Sequence, residues 1–252
     1  MKILLIGHSG RVGSLIKKIV SENVKYEVIY ELDLNEQNWR SNELGKIIEP
    51  EKTVIIDFSS ETGLSLGLDI AKELNLPMVS GTTGISESVI DKLIAASKEI
   101  PLVYDTNMSV GMNLTRYIAR QVSKFIPKWD TEIMEIHHNK KVDAPSGSAL
   151  SLSEAIQDGR KMSGIESQWK YHQPERKVEE KIETGHILSL RGGTVVGDHT
   201  AFWFGDHERI ELSHRAENRE IFAQGALHAA YWLLDRQKKS GLFNMDNVIG
   251  ID

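Results

Sequence analysis

The segment Glu135-Ile136-His137-His138-Asn139-Lys140-Lys141-Val142-Asp143-Ala144-Pro145-Ser146-Gly147-Ser148 is the densest polar run in the chain. A histidine exchanges a proton near neutral pH. A lysine supplies a fixed positive charge for a carboxylate. Pro145-Ser146 followed by Gly147 and Ser148 reads as the opening of a helix, whose first amides accept an anion. An acid beside two anion-accepting features suits a small dicarboxylate; the bland alternative is a solvated basic loop. Adjacent histidines in a strand point to opposite faces, so His137 and His138 are poorly placed to share an ion, and no metal site is expected. Ser146 and Ser148 lie in no G-x-S-x-G elbow, which argues against a hydrolase triad.

A second constellation stands at the N-terminus, where Gly7-His8-Ser9-Gly10-Arg11-Val12-Gly13 follows an apolar run. Glycines let a backbone turn sharply and approach a pyrophosphate, and the next helix offers its N–H groups and positive dipole end. The spacing is G-x-x-G-x-x-G rather than the commoner G-x-G-x-x-G, so an ordinary glycine turn remains an alternative. Asp33 lies twenty residues after Gly13 and is followed by Leu34 rather than arginine. A carboxylate there accepts the adenosine ribose hydroxyls and repels a 2′-phosphate, favouring NADH over NADPH; Glu31 is the rival ribose ligand. Gly81, Thr82 and Thr83 follow a later strand, and Asp105, Thr106, Asn107 and Met108 end the next. Both loops are expected beside the same cofactor.

These residues need elements to position them. Ile3–Ile6, Tyr26–Tyr30, Thr53–Ile56, Met78–Val79 and Leu102–Tyr104 read as strands. Helical periods fall after Val12, over Thr62–Leu74 and over Ser86–Glu99. This rhythm predicts a Rossmann-like, doubly wound parallel α/β sheet. After Asn107 the pattern changes: helices are expected over Leu114–Phe125 and from Ser148 to Met162, with a strand over Thr131–His137 between them. Gln168–Lys181 reads as a mobile loop. Strands follow at His186–Arg191, His199–Phe204 and Arg209–His214. Gly192-Gly193, Gly197-Asp198 and Gly205-Asp206 are read as the turns between them, giving an α+β unit with a mixed or mainly antiparallel sheet. The last helix is expected from Arg219 to Lys238, with a broad apolar stripe.

Composition narrows the function classes. The 252 residues carry 30 basic and 36 acidic side chains, a net charge of −6, and no cysteine. A nucleic-acid partner is not expected of such a chain, and disulfide, cysteine–zinc, iron–sulfur and thiol chemistry are excluded. No apolar run reaches the roughly 18 residues of a transmembrane helix, and the N-terminal run is too short for a signal peptide, so no membrane partner and a cytoplasmic location are expected.

The chain resembles the dihydrodipicolinate reductase family. The resemblance rests on Gly7–Gly13, Asp57-Phe58-Ser59-Ser60, Gly81–Gly84, Asn107–Asn113, His137–Ser148, Gly197–Thr200 and Ser240–Phe243. It spans nearly the whole chain, and its most specific part is His-His-x-x-Lys-x-Asp-Ala-Pro-Ser-Gly. It implies that His137 is the catalytic acid and Lys141 a second proton donor or orienting cation. It implies that His138, Gly147 and Ser148 bind the substrate carboxylates. Gly7, His8, Ser9, Gly10, Arg11, Val12, Asp33, Gly81 to Thr83 and Asp105 to Met108 would hold NADH or NADPH, the family using both. Ser148 stands where threonine is common, and Met108 where phenylalanine is. The implied organisation is a dinucleotide domain from 1–108 and 217–252 and a substrate and assembly domain from 109–216, with closure about hinges near Met108–Ser109 and Arg215–Asn218. The implied assembly is a homotetramer. Another two-domain amino- or hydroxy-acid dehydrogenase, or a noncatalytic NAD sensor, would share the glycine loop but not the histidine–lysine segment.

Overall fold

A computed structural model describes residues 1–32, 47–171, 184–235 and 239–251. Contacts divide the chain into two compact units, Met1–Val110 with Arg219–Asp252, and Gly111–Asn218.

The first unit is built on a parallel sheet of β1 (Lys2–Ile6), β2 (Glu27–Leu32), β3 (Thr53–Asp57), β4 (Met78–Ser80), β5 (Pro101–Tyr104) and β11 (Gly241–Phe243), in the order β11-β5-β4-β3-β1-β2. Continuous apolar strands suit a sheet covered on both faces. Alternate residues serve the two sides. Ile3, Leu5, Val54 and Ile56 join a core with Ile16 of helix α1 (Arg11–Ser21) and the alanine-rich face of α6 (Glu220–Asp235). Leu4, Ile6 and Ile55 face the opposite core, with Leu64 and Leu68 of α2 (Glu61–Leu74) and Leu93 of α3 (Glu87–Ser97). The doubly wound parallel sheet expected from the strand–helix rhythm is therefore present. The short β11 and the five-residue helix α7 (Met245–Ile249), capped by Asn244, were not foreseen.

The second unit begins with α4 (Val110–Phe125), which starts a turn earlier than its periodicity suggested. Its sheet contains β6 (Asp130–His137), β7 (Gln168–Tyr171), β8 (Thr184–Arg191), β9 (Gly197–Phe204) and β10 (Arg209–Ala216), in the order β10-β9-β6-β8-β7. β6 pairs parallel to β8 and antiparallel to β9, so the sheet is mixed. Two expectations need correction. Gln168–Tyr171 is a parallel edge strand rather than loop, while 172–183 lie outside the described residues. Gly197-Asp198 is not a turn but the start of β9, and β8 and β9 form no hairpin because β6 lies between them. Two-residue turn signals report a local bend, not which strand is hydrogen-bonded to which.

One face of this sheet is covered. Ile133, Ala201 and the wholly buried Trp203 pack with Ala119 of α4 and with Leu152 and Ile156 of α5 (Gly147–Met162). Trp203 donates its indole N–H to Ser123 Oγ at 2.9 Å, which satisfies the one polar atom that this buried ring carries into the core.

Close helix packing in the first unit gives a direct test. A Cβ at Gly225 of α6 would lie 1.8 Å from the Met108 carbonyl oxygen, so α6 and the loop after β5 meet only because residue 225 lacks a side chain. Gly225→Ala should lower Tm by roughly 2–12 °C, the shift expected from about 1–3 kcal/mol of overpacking in a chain of this size. Calorimetry checks it; an unchanged Tm would show that the contact yields without cost.

Candidate functional site

In a parallel sheet the ligand crevice lies beyond the carboxyl ends of the strands, and several predicted cofactor residues follow those ends. β1 runs directly into Gly7, which has φ +79°, and a Cβ there would lie 2.4 Å from the Phe58 carbonyl oxygen. Gly10 is the N-cap of α1 with no side-chain cap, and its N–H bonds to the Gly7 carbonyl at 3.0 Å. A Cβ at Gly13 would lie 2.2 Å from that same carbonyl oxygen. Only glycine permits this close turn onto a helix whose N-terminus carries no side chain. That is the cradle a pyrophosphate requires, so the residues present fit a dinucleotide. His8, Ser9, Arg11 and Val12 stand around it, Ser9 and Arg11 exposed.

Asp33 lies outside the described residues. Its rival, Glu31 on β2, is already engaged, 3.1 Å from His8 Nδ1 and 2.8 Å from Lys17 Nζ.

The loops after β3 and β4 are tied together by a residue not singled out as a ligand. Asp57 ends β3 with no solvent exposure. It accepts hydrogen bonds from Ser59 Oγ, from Ser80 Oγ at 2.7 Å and from Thr82 Oγ1 at 2.7 Å. Burial pushes its carboxyl up, against the opposing pull of these hydroxyls. The Thr82 hydroxyl thus faces inward, and Gly81 lies against the Phe58 ring, while Thr83 is exposed. Asp105 accepts from the Asn107 amide at 3.0 Å and the Met245 amide at 3.3 Å, which fixes the loop after β5 to the start of α7. Thr106 is exposed, and the Met108 side chain belongs to the core. The side chains of Thr82, Asp105 and Met108 therefore hold the loops, leaving backbone and neighbouring groups to face a ligand.

In the second unit, His137 is the last residue of β6 and is 7% exposed on the helix-covered face. Glu135, two positions earlier on the same face, has no exposure. Its Oε2 contacts His137 Nδ1, and its Oε1 is 2.9 Å from Arg191 Nη2 of β8. Burial alone would raise the Glu135 carboxyl. Hydrogen bonds from His137, Ser189 and Arg191 outweigh it and hold the group at about 2.

His199 of β9 meets His137 edge to face at 5.2 Å between ring centroids, and its Nε2 lies 3.1 Å from Ser146 Oγ. Ser146 caps α5 by accepting the Ala149 amide, as the helix-opening reading required. Gly147 and Ser148 form the first turn of that helix, with Gly147 exposed. Lys141 follows β6 and pairs with Asp143 at 2.8 Å. His138 is the first residue past the strand and partly exposed. Glu135, His137 and His199 bring one possible ligand atom each within 4.8 Å of one another, but Arg191 already places a cation on the carboxylate.

Sequence reading picked out His137 and the helix cap but missed Glu135, Arg191 and His199 as the surroundings of that imidazole. Glu135 was accessible, since a two-residue spacing in a strand means a shared face. Arg191 and His199 come from strands 50 or more positions away, and only strand register places them opposite His137 and Glu135.

The two halves of the chain match two family models, "Dihydrodipicolinate reductase, N-terminus" over residues 1–108 and "Dihydrodipicolinate reductase, C-terminus" over 111–249. Proteins named 4-hydroxy-tetrahydrodipicolinate reductase from Archaeoglobus fulgidus and Clostridium novyi are 36% and 37% identical to it. The match covers 99% and 98% of this chain and 100% and 98% of theirs. Among solved structures, a dipicolinate-bound dihydrodipicolinate reductase from Paenisporosarcina sp. TG-14 has the same fold at TM-score 0.73 and 19% identity, over 97% of each chain. A probable dehydrogenase from Thermotoga maritima is similar at TM-score 0.56 and 12% identity, over 100% of this chain and 93% of its own.

The electrostatics of His199 set a pH dependence. Burial first, then the positive neighbours His137, His214 and Lys141, depress its imidazole to about 3, against the opposing effect of Glu135. An unfolded chain protonates this group near pH 6.5, while the folded protein does not until about 3. The stability tied to neutral His199 is therefore complete above the unfolded value and is lost as pH falls through this window. Tm should fall less steeply from pH 7 to pH 4 in His199→Gln than in the wild type; parallel curves would contradict the assignment.

Proposed function

The chain belongs to the dihydrodipicolinate reductase family, and on that premise we propose that it is a 4-hydroxy-tetrahydrodipicolinate reductase of diaminopimelate and lysine biosynthesis, reducing a cyclic imine dicarboxylate with NADH or NADPH. The supporting observation is a histidine acid with a buried carboxylate partner, linked through His199 to the capped N-terminus of α5. Dinucleotide binding is assigned to 1–108 with 217–252, and substrate binding and assembly to 109–216. The partition of contacts into two units and the glycine cradle of the first support that assignment.

When bound, the reduced nicotinamide supplies a hydride to the conjugated carbon–carbon double bond of the substrate. Electrons then move toward the ring nitrogen and leave the substrate as an aza-enolate, the anion of an enamine. Gly147 and Ser148 hold one carboxylate at the positive end of α5, and His138 with Lys141 holds the other and orients the ring. His137 delivers a proton to the enamine carbon beside the ring C–N bond, which completes the imine product. Gly197 keeps the imidazole edge clear, since a Cβ there would lie 2.9 Å from His137 Nε2. The loops knit by Asp57 and Asp105 hold the nicotinamide end, and Gly7 to Val12 the pyrophosphate.

NADH is the preferred coenzyme in this reading, because Asp33 offers a carboxylate where a 2′-phosphate would need a cation and Leu34 supplies none. Location in the cytoplasm belongs to the same proposal; no helix among the described residues is long and apolar enough to cross a membrane. So does a homotetramer. The second face of the sheet in the 109–216 segment carries Leu188 and Leu190, 55% and 41% exposed, with Phe204 at 37%. An apolar sheet face of this kind suits burial against another copy.

The decisive assay follows reduced-nicotinamide absorbance with the condensation product of pyruvate and aspartate semialdehyde. The wild type should oxidise NADH with a higher kcat/KM than NADPH and leave simple 2-keto acids untouched. His137→Ala should lower kcat by about 10²–10⁴-fold with a smaller change in KM, and Lys141→Ala should both slow turnover and raise KM. No oxidation at all would point to a nucleotide-binding protein without this chemistry. Light scattering should give a four-chain mass that Leu188→Glu reduces; a monomeric wild type would end the tetramer proposal.

A further inference from the structure

His137 is held by more than its place at the end of a strand. Its Nδ1 meets Glu135 Oε2, and the far oxygen of that carboxylate is anchored by Arg191 Nη2 at 2.9 Å. Strand register enforces this grouping. β6 sets Glu135 opposite Ser189 and His137 opposite Arg191 on β8, while Glu135 faces His199 on β9. A carboxylate with no exposure cannot drift to solvent, and here its strong partners are all provided by the sheet. On its other edge the imidazole reaches Gly197, which has no side chain to cover Nε2.

We propose that Glu135 is a positioning residue for proton delivery. Its Arg191-anchored carboxylate accepts the Nδ1–H of His137, fixes the ring orientation and tautomer, and leaves Nε2 as the atom that carries the transferable proton. The proposal deepens the reaction assigned above and rests on His137 being its acid. A carboxylate at Nδ1 accepts the hydrogen on that nitrogen, so the ring keeps the Nδ1–H tautomer once the Nε2 proton has left. The remaining groups around the ring act in known directions. Arg191 of β8, and Lys141 of the following loop with its partner Asp143, set the charge at one end. His199 of β9 and His214 of β10 are both depressed, chiefly by burial, and so add no competing cation near neutral pH. His199 then serves as a neutral link between the imidazole and Ser146, so the acid and the carboxylate-binding helix turn share one rigid frame.

The test compares wild type, Glu135→Gln and Glu135→Asp. Imidazole nitrogen NMR on histidine-labelled protein, with the His137 signal assigned from His137→Asn, gives a readout independent of turnover. The wild-type signal should show the Nδ1–H tautomer, and in Glu135→Gln its midpoint should fall by about one pH unit or more, the scale of losing an adjacent opposite charge. In the kinetic assay, the fall in kcat on the alkaline side should move down by the same amount. The Gln variant should lose at least tenfold in kcat with KM changed less than threefold. Glu135→Asp keeps the charge but withdraws it by one methylene, so it should keep the midpoint and lose part of kcat; it also serves if the Gln variant does not fold. An Nε2–H tautomer in the wild type, an unmoved midpoint in Glu135→Gln, or wild-type kcat in either variant would overturn the proposal. If the wild type does not reduce the imine at all, the reaction assignment fails, and the titration still decides whether Glu135 governs His137.

Discussion

A carboxylate with no access to water must find its compensation inside the protein, and Glu135 imposes that demand on the whole second unit. Desolvating an unpaired charge costs far more than a single strand pairing returns. The sheet answers with Arg191 and Ser189 from β8, His137 from β6 itself and His199 close by on β9. Because side chains alternate along a strand, a one-residue slip of β8 against β6 would turn Arg191 to the opposite face. The register that satisfies the charge is also the one that puts Ile133, Ile187 and Ala201 into the core under α4 and α5. Packing and electrostatics thus select the same pairing.

The first unit solves a similar problem by other means. Asp57 is also buried, but hydroxyls rather than cations surround it, and its carboxyl is pushed up where Glu135 is held down. Hydroxyls satisfy lone pairs without cancelling charge. The result suits a scaffold: Ser59, Ser80 and Thr82 are drawn to one point, and the loops after β3 and β4 become one surface. The buried acid in the second unit sits against an imidazole; the one in the first unit draws two loops together.

Much of the fold was legible because its physics is local. Apolar runs alternating with amphipathic helices announced the parallel sheet, and Gly7, Gly10 and Gly13 announced the turn onto α1. His137, Ser146, Gly147 and Ser148 could be picked out from residue chemistry and capping alone. What stayed hidden depends on pairing. Gly197 looked like a turn glycine and proved to be a strand residue beside His137, and the charged surroundings of Gln168–Tyr171 masked an edge strand. His199 and Arg191 gave no local sign of their partners, since their neighbours in space come from β6. The backbone at Asp33, on which the coenzyme argument leans, falls outside the described residues.

The first unit is discontinuous in sequence, and that has a consequence for how the protein is made. β11 hydrogen-bonds to β5, and α6 supplies much of one core, yet both come from the stretch after residue 218. On the ribosome, β1 to β5 emerge early with Ile3, Leu5, Val54 and Ile56 still lacking their alanine-rich cover. Gly111–Asn218 is complete first and is free to fold as a unit while that sheet waits. The nascent chain therefore carries an uncovered apolar sheet face through the synthesis of more than a hundred further residues, the interval in which a chaperone has most to bind.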